Sequence, residues 1–264
     1  MRRLGALLEK ELLDIRRNRA ALVPVLIVAL VFLLLPFIVI VMVPSMTGKP
    51  LGDDPQLTRL SGVVRLSATL DSEGRIQLFL FQQFLMFFLM LPITGAMALA
   101  AHAVIGEKQA RTLEPLLATP LTTLELLVAK MLGALLPTLA ISIVSLLLYA
   151  AGIAWLARPG VFGALLTGRS VLLVGLLGPA SALVALQGAV LVSSRVNDPR
   201  TAQQFSVLII VPLTGVLVAQ FAGLLWLSAW AIGAIGAGLL LTWFLLTMFS
   251  VAMFQREVIL TRWK

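Results

Sequence analysis

The sequence contains no cysteine and a single histidine, His102, in 264 residues. Without cysteine the chain can form no disulfide, no thiolate nucleophile and no cysteine-ligated metal site. A single histidine also excludes metal sites that need several histidines. Much of redox and zinc chemistry is therefore excluded for this chain.

Charged residues are scarce as well. They make up 12% of the chain against 60% hydrophobic residues, and the mean hydropathy is +1.04. A typical soluble domain has about 25% charged residues, so this composition predicts a membrane protein. None of the 12 acidic residues falls inside a long apolar run. This argues against a carrier driven by protons or sodium ions, because such carriers use intramembrane acids.

Long stretches without any charge indicate the transmembrane segments, because a charge at the bilayer centre is costly. The last stretch, 201–255, is 55 residues long and suits two helices with a turn near 226–230, since one crossing takes about 20 residues. We expect an all-α integral membrane protein of six transmembrane helices, with one transmembrane domain over 1–264. The predicted spans are 22–43, 79–104, 126–152, 170–193, 204–224 and 231–253, and the predicted extracytoplasmic loop is 44–78.

The distribution of lysine and arginine predicts the orientation. If six spans alternate sides, fourteen of the 20 basic residues share the side of the N-terminus and six lie on the other. Because basic residues are retained on the cytoplasmic face, both termini are expected in the cytoplasm of a cell with the chain in its inner (cytoplasmic) membrane. The net charge of +8 then reflects topology. No nucleic-acid partner is expected, because the basic residues do not cluster with aromatic platforms.

Residues 1–20 precede the first span and show a helical apolar stripe. The stripe consists of Leu4, Leu7, Leu8, Leu12 and Ile15, and Glu11 is the one misfit within it. The pattern predicts an amphipathic helix at the cytoplasmic surface of the lipid bilayer; the alternative is an ordinary solvated tail. The first span is interpreted as an uncleaved anchor, because its apolar run is too long for a signal peptide.

The loop between spans two and three, residues 105–124, has the signals of a short helix. Thr112 can cap its start, Glu114 suits the positive end of the helix dipole, and Pro120 stops it. The helix would carry three leucines on a charged stalk in which Glu107 and Arg111 are four residues apart. Such a helix can dock in a groove of another protein, and a simple connector lying on the surface is the alternative.

This loop resembles the hallmark loop of the ABC type-2 permeases, the membrane subunits of one large class of ABC exporters. The family pattern is roughly Glu-Lys/Arg-Glu-x-Gly-Thr-Leu/Met-Glu-x-Leu-Leu-x-Thr-Pro. Matching residues are Glu107, Lys108, Thr112, Leu113, Glu114, Leu116, Leu117, Thr119 and Pro120. Gln109 and Arg111 depart from it, at positions where the family commonly has an acid and a glycine.

A second loop also resembles the family. It contains Arg195, Asp198, Arg200 and Gln203, and its Ala202-Gln203-Gln204 leads into the predicted fifth span. Together with the plan of six spans, the resemblance extends over essentially the whole chain.

The resemblance implies a permease subunit of an ATP-driven exporter, which is a transporter subunit and not an enzyme. The permease would pair with itself or with a similar permease, and with two copies of a separate ABC ATPase subunit. The short helix after span two, a coupling helix in this family, would transmit the motion of the ATPase. The sequence has no Gly-x-x-x-x-Gly-Lys-Ser/Thr phosphate loop, so this chain is not expected to bind a cofactor. ATP and magnesium are expected on the partner.

Polar residues within the spans are candidates for the substrate path or for contacts between helices. The candidates are Gln82, Gln83, Gln187 and Gln220. Gly175, Gly178 and Pro179 indicate a loosened helix in the fourth span. Members of the family export drugs, peptides, polysaccharide or lipid-linked molecules and ions. A path of neutral, mostly apolar side chains favours an amphipathic or hydrophobic cargo here.

Two other classes of function are compatible with an apolar chain of this kind. A stand-alone channel or carrier is an alternative, because pores can be built from backbone and neutral side chains. An intramembrane enzyme is a weaker alternative, because the sequence has no His-Glu-x-x-His helix, and its single histidine lies near the cytoplasmic end of span two. Activity of the purified chain alone would favour either of them over a transporter subunit.

Overall fold

The computed structural model describes residues 2–55, 57–58, 70–109, 123–193, 201, 204, 211, 214–216, 218–220 and 227–253. Within these ranges the chain is helical and contains no strand. The helices are α1 (Arg2–Arg17), α2 (Arg19–Thr47), α3 (Ser72–Gln109), α4 (Thr123–Leu156), α5 (Val161–Leu165), α6 (Gly168–Leu172), α7 (Gly178–Ser193) and α8 (Ala229–Met253). A 3-10 turn covers Leu51–Asp53, and one π-helical turn, Leu173–Leu177, joins α6 to α7.

Five helical stretches in the described part of the chain are long and apolar enough to cross a membrane. They are Arg19–Thr47, Ser72–Ala103, Val128–Leu156, Gly168–Val192 and Ala229–Ser250. A helix satisfies all of its own backbone hydrogen bonds, so it is the structure that such apolar runs adopt in lipid. The expectation of an all-α membrane protein is confirmed.

The five stretches overlap five of the six predicted spans, with ends that differ from the predicted ones by one to seven residues. Helix α3, for example, begins at Ser72, so the end of the predicted loop 44–78 belongs to a helix. The predicted fifth span, 204–224, lies largely outside the described residues; those described within it are helical. Leu227 and Ser228 are not helical, and the Ser228 hydroxyl accepts a hydrogen bond from the Ala231 amide at 3.2 Å at the start of α8.

Helices α1 and α2 are separated by one residue, Asn18. Its side chain accepts a hydrogen bond from the Ala21 amide at 3.1 Å and so caps the start of α2. At the other end of α2, Gly48 has a φ of 64°, and its amide donates to the Pro44 carbonyl. This left-handed conformation suits glycine and stops the helix.

Helix α3 lies at the centre of the bundle. In its most apolar stretch 83% of the residues are buried, compared with 17% for α2 and 11% for α8. The buried residues around it form two main clusters. One lies around Ala96 and Ala185 and includes Ile15 of α1 and Ala134 of α4. The other lies around Phe81 and Tyr149 and includes Val161 and Leu173.

Candidate functional site

The two clusters define the two ends of the bundle. We call the end where α3 finishes and α4 begins the loop end, because residues 110–122 connect the helices there. The other end, where α3 begins and α4 finishes, is the opposite end. The predicted coupling residues belong to the loop end.

Most of the predicted coupling residues lie outside the described residues. This holds for Arg111, Thr112, Leu113, Glu114, Leu116, Leu117 and Thr119, and so for the predicted short helix. Glu107 and Lys108 belong to the last turn of α3. In the second predicted loop, Arg195, Asp198, Arg200 and Gln203 also lie outside the described part.

A buried ion pair joins α1 to α4 at the loop end. Lys130 Nζ lies 3.3 Å from Glu11 Oε1, and the two side chains are only 4% and 3% exposed. Lys10, which is partly exposed, also donates to Glu11 Oε1 at 3.3 Å. Removing one member of such a pair typically costs about 3–5 kcal/mol, because the other charge is left buried and uncompensated.

The backbone of α4 comes very close to α1 beside this pair. A Cβ atom added at Gly133 would lie 2.7 Å from Glu11 Cβ, a distance that requires a shift of one helix. Leu7 and Ile15, one turn to either side of Glu11 on α1, are buried as well. The apolar stripe of α1 therefore packs on protein, and Glu11, its polar misfit, faces Lys130.

The sequence alone did not reveal this pairing. Glu11 and Lys130 are 119 positions apart. In the sequence, Lys130 is only one of the fourteen basic residues expected on the side of the N-terminus. The usable signal was the combination of an acid inside an apolar stripe and a lysine in the apolar helix α4, because each needs a partner when buried.

An ion pair at the opposite end also joins two spans, but it is exposed. Arg158 Nη2 contacts Glu73 Oε2, and the Arg158 side chain is 53% exposed. The hydrogen bond and the charge of Glu73 raise the pKa of Arg158. The Arg158 amide donates to Gln77 Oε1 at 2.9 Å. These contacts join the start of α3 to the end of α4.

On the side of the opposite end, an aromatic cluster packs α2, α3 and α4 together. The Tyr149 hydroxyl donates to the Phe81 carbonyl at 2.8 Å, and Tyr149 is fully buried. Its ring contacts Phe88 with 4.8 Å between centroids and Phe37 with 5.7 Å. Spans two and three are thus joined by this buried cluster as well as by the exposed contacts of Arg158.

The four candidate glutamines are all buried. Gln187 of α7 donates to the Ser250 hydroxyl and accepts from the Thr247 hydroxyl at 3.4 Å, both in α8. Gln83 donates to the backbone carbonyl of Gln220 at 3.2 Å. Among the four glutamines as the structure describes them, Gln82 Oε1, Gln83 Oε1 and both polar side-chain atoms of Gln220 have no hydrogen-bond partner. Gln187 and Gln83 therefore make contacts between helices, and the structure does not bring the four glutamines into one site.

A cavity of about 290 Å³ lies between α3, α4 and the fourth span. Its wall includes Phe88, Pro92, Leu146, Gly175 and Pro179, together with one polar residue, Ser142. The Ser142 hydroxyl donates to the Thr138 carbonyl at 2.8 Å within α4. The π-helical turn forms part of this wall, at the place where the sequence indicated a loosened helix. The cavity is apolar and suits a hydrophobic group.

No catalytic centre emerges from these contacts. In the ranges that the structure describes, no group of three or more His, Asp and Glu side chains is placed to hold a metal ion. What the described part does contain is a set of polar contacts that join helices to one another.

Comparison with known proteins identifies the family. Residues 5–259 match a family model described as ABC-2 family transporter protein. No curated protein and no solved structure matches the chain. The family match extends over nearly the whole length and agrees with the apolar helices and with the resemblance of the loop after span two. The chain therefore belongs to the ABC-2 transporter family and is a multi-pass membrane protein of the kind that forms the permease subunit of an ABC transporter.

Proposed function

We propose that this chain is the permease of an exporter, and that separate ATPase subunits drive it through the loop between spans two and three. The observation that carries the proposal is the family match over residues 5–259. The absence of a phosphate-loop motif in the sequence supports ATP hydrolysis on another chain, with ATP and magnesium bound there.

The coupling residues are proposed from the loop motif. Glu107, Lys108 and Arg111 form the charged stalk, and Thr112, Glu114 and Thr119 shape a short helix. Leu113, Leu116 and Leu117 insert into a groove of the ATPase subunit. An amphipathic helix in an apolar groove is a common mode of docking.

The contacts between α3 and α4 support this mechanism. The two helices flank the loop and are joined by buried packing around Tyr149 and by the hydrogen bond from its hydroxyl to the Phe81 carbonyl. A sideways push on the loop would therefore move the pair as a unit. Rigid helices of this kind convert a local displacement into a movement between subunits.

Two permease chains would share one translocation path. Six spans are about half of what a two-fold exporter needs, so we propose a homodimer or a pair with a similar permease, together with two ATPase subunits. The second loop, with Arg195, Asp198, Arg200 and Gln203, would face the ATPase from the same side. Isolation of a monomer that still supports one active ATPase would count against the pairing.

Orientation follows from the basic residues: we propose the inner membrane with both termini in the cytoplasm. The chain has no native cysteine, so single cysteines can be introduced for labelling. Cysteines near Arg65 and Arg158 should react with an impermeant reagent outside intact cells, and cysteines near Glu114 and Arg200 should not. Protection of the site near Arg65 would overturn this topology.

The decisive test of the loop is Leu116→Asp. A charge in an apolar groove should weaken ATPase binding or coupling without preventing membrane insertion. Glu107→Lys should act in the same direction by placing a third positive charge beside Lys108 and Arg111. The matched control is Leu13→Asp on α1, where the side chain is 45% exposed. Normal complex formation and normal ATP hydrolysis with Leu116→Asp would show that the loop is not the coupling element.

A further inference from the structure

The buried Glu11–Lys130 pair is more than α1 needs in order to pack on α4. Leu7 and Ile15 already bury the apolar face of the helix. Apolar contact is non-directional, so α1 could slide along α4 with little loss. Replacing a buried ion pair with apolar side chains is often neutral or stabilising, so stability alone does not account for the two charges.

The ion pair selects one register of α1 along α4, which apolar contact alone does not do. A shift of α1 by one helical turn, about 5.4 Å, would separate the carboxylate from the ammonium group and leave both charges buried without each other. The close approach at Gly133 acts in the same direction, because Gly133 accommodates Glu11 at that point of α4. Fixing register is the best-attested role of buried polar groups.

The register matters because of where Lys130 lies. It is in the second turn of α4, which begins at Thr123 after the loop that connects α3 to α4. Any displacement of that loop passes into this part of α4. Helix α1 packs on α4 and is also connected to α2 through the single residue Asn18.

We propose that Glu11 and Lys130 are positioning residues that fix α1 to the start of α4, so that the two move as one body when the ATPase acts on the adjoining loop. Helix α1 then carries the displacement to α2, the first span. This rests on the proposed function for its role in transport, whereas the fixed register is a property of the chain itself.

The register can be measured in the chain without the ATPase. Spin labels on cysteines replacing Leu13 of α1 and Leu136 of α4, which are 45% and 43% exposed, report the distance between the helices in lipid vesicles. The native pair should give a narrow distance distribution. The variant Glu11→Leu with Lys130→Met keeps the contact apolar and should broaden it, and Lys130→Arg should keep it narrow.

The second measurement is ATP hydrolysis by the complete complex. The apolar double variant should reduce kcat severalfold, because α1 would no longer follow α4 when the loop is displaced. The KM for ATP and the amount of complex should stay unchanged, because neither residue is proposed to contact the ATPase. In the native complex, the distance between α1 and α4 should be the same with and without trapped ATP. The matched control at the opposite end, Glu73→Gln with Arg158→Met, should leave kcat unchanged.

Three results would overturn the proposal. The first is a narrow distance distribution with full kcat in the apolar double variant, and the second is an α1–α4 distance in the native complex that changes with ATP. The third is a double variant that forms less complex with the ATPase while the complex that forms keeps its kcat. If the double variant does not insert, Gly133→Ala makes the same test by separating the helices, and native behaviour of that variant would overturn the proposal. Failure of the proposed function would show separately, because the native chain would then form no complex with an ATPase. The distance measurement in vesicles needs no ATPase and would still test the register.

Discussion

The loop end and the opposite end of the bundle are both closed by an ion pair, but the two pairs differ in burial. Glu11 and Lys130 are almost fully buried, whereas Arg158 is 53% exposed beside Glu73. Exposed pairs are screened by water and salt and contribute little to stability. A buried pair fixes the relative position of the two helices that carry it, because separating two buried charges is costly.

This difference indicates how the two ends serve transport. The opposite end joins α3 to α4 through contacts that water can replace, so it can adapt while the spans move. The loop end holds α1 against α4 in one register, beside the loop proposed to receive force from the ATPase. Single substitutions at the two ends should therefore differ in their effect on stability.

Lys130→Met alone should have the largest effect on stability. It leaves the Glu11 carboxylate buried with only the partly exposed Lys10 beside it, and we expect a loss of about 3–5 kcal/mol. Denaturant titration of the purified chain in detergent measures this loss. An unchanged midpoint would mean that Glu11 is solvated in the membrane-bound chain.

Gly133→Ala should have the next largest effect. Its Cβ would lie 2.7 Å from Glu11 Cβ, and overpacking of this kind costs about 1–3 kcal/mol. The control is Gly163→Ala in α5, where an added Cβ meets nothing within 4 Å. Equal midpoints for the two variants in the same titration would contradict the close contact of α1 with α4.

Tyr149→Phe tests the buried aromatic cluster on the side of the opposite end. It removes the hydrogen bond to the Phe81 carbonyl and keeps the ring, so we expect a loss of about 0.5–1.5 kcal/mol. The same titration measures it. A larger loss would mean that the Tyr149 hydroxyl contributes more to the connection between α3 and α4 than a single hydrogen bond explains.

Arg158→Met should leave the midpoint of unfolding unchanged. Its ion pair with Glu73 is exposed, and added salt should change the native protein little for the same reason. Titrations at low and high salt check both statements. A clear loss of stability with Arg158→Met would remove the contrast between the two ends.

The general architecture could be predicted because it depends on composition and on the positions of charges. Apolar runs between charges gave helical spans, and the stripe before Arg19 gave α1. These signals are local and repeat with the period of a helix. The exact helix ends differ, since α3 extends from Ser72 to Gln109, past the predicted span at both ends.

The contacts at the loop end could not be predicted, because they join distant parts of the chain. Glu11 stood out as a misfit, but nothing local indicates Lys130 as its partner. The role of Gly133 could not be predicted either, because it depends on the packing of α1, which is distant in sequence, against α4. Gly175 and Pro179 did indicate a loosened fourth span, because a glycine and a proline act on their own backbone. The π-helical turn lies there.

We propose that the loop end contacts an ATPase subunit and that the opposite end does not. A photo-crosslinking amino acid at Leu116 and, separately, at the exposed Lys49 tests this in intact cells, with the captured protein identified by mass spectrometry. Position 116 should capture a subunit with a phosphate-loop motif, and position 49 should not. Capture of that subunit from position 49, or its absence from position 116 in a correctly inserted chain, would show that the ATPase does not bind at the loop end.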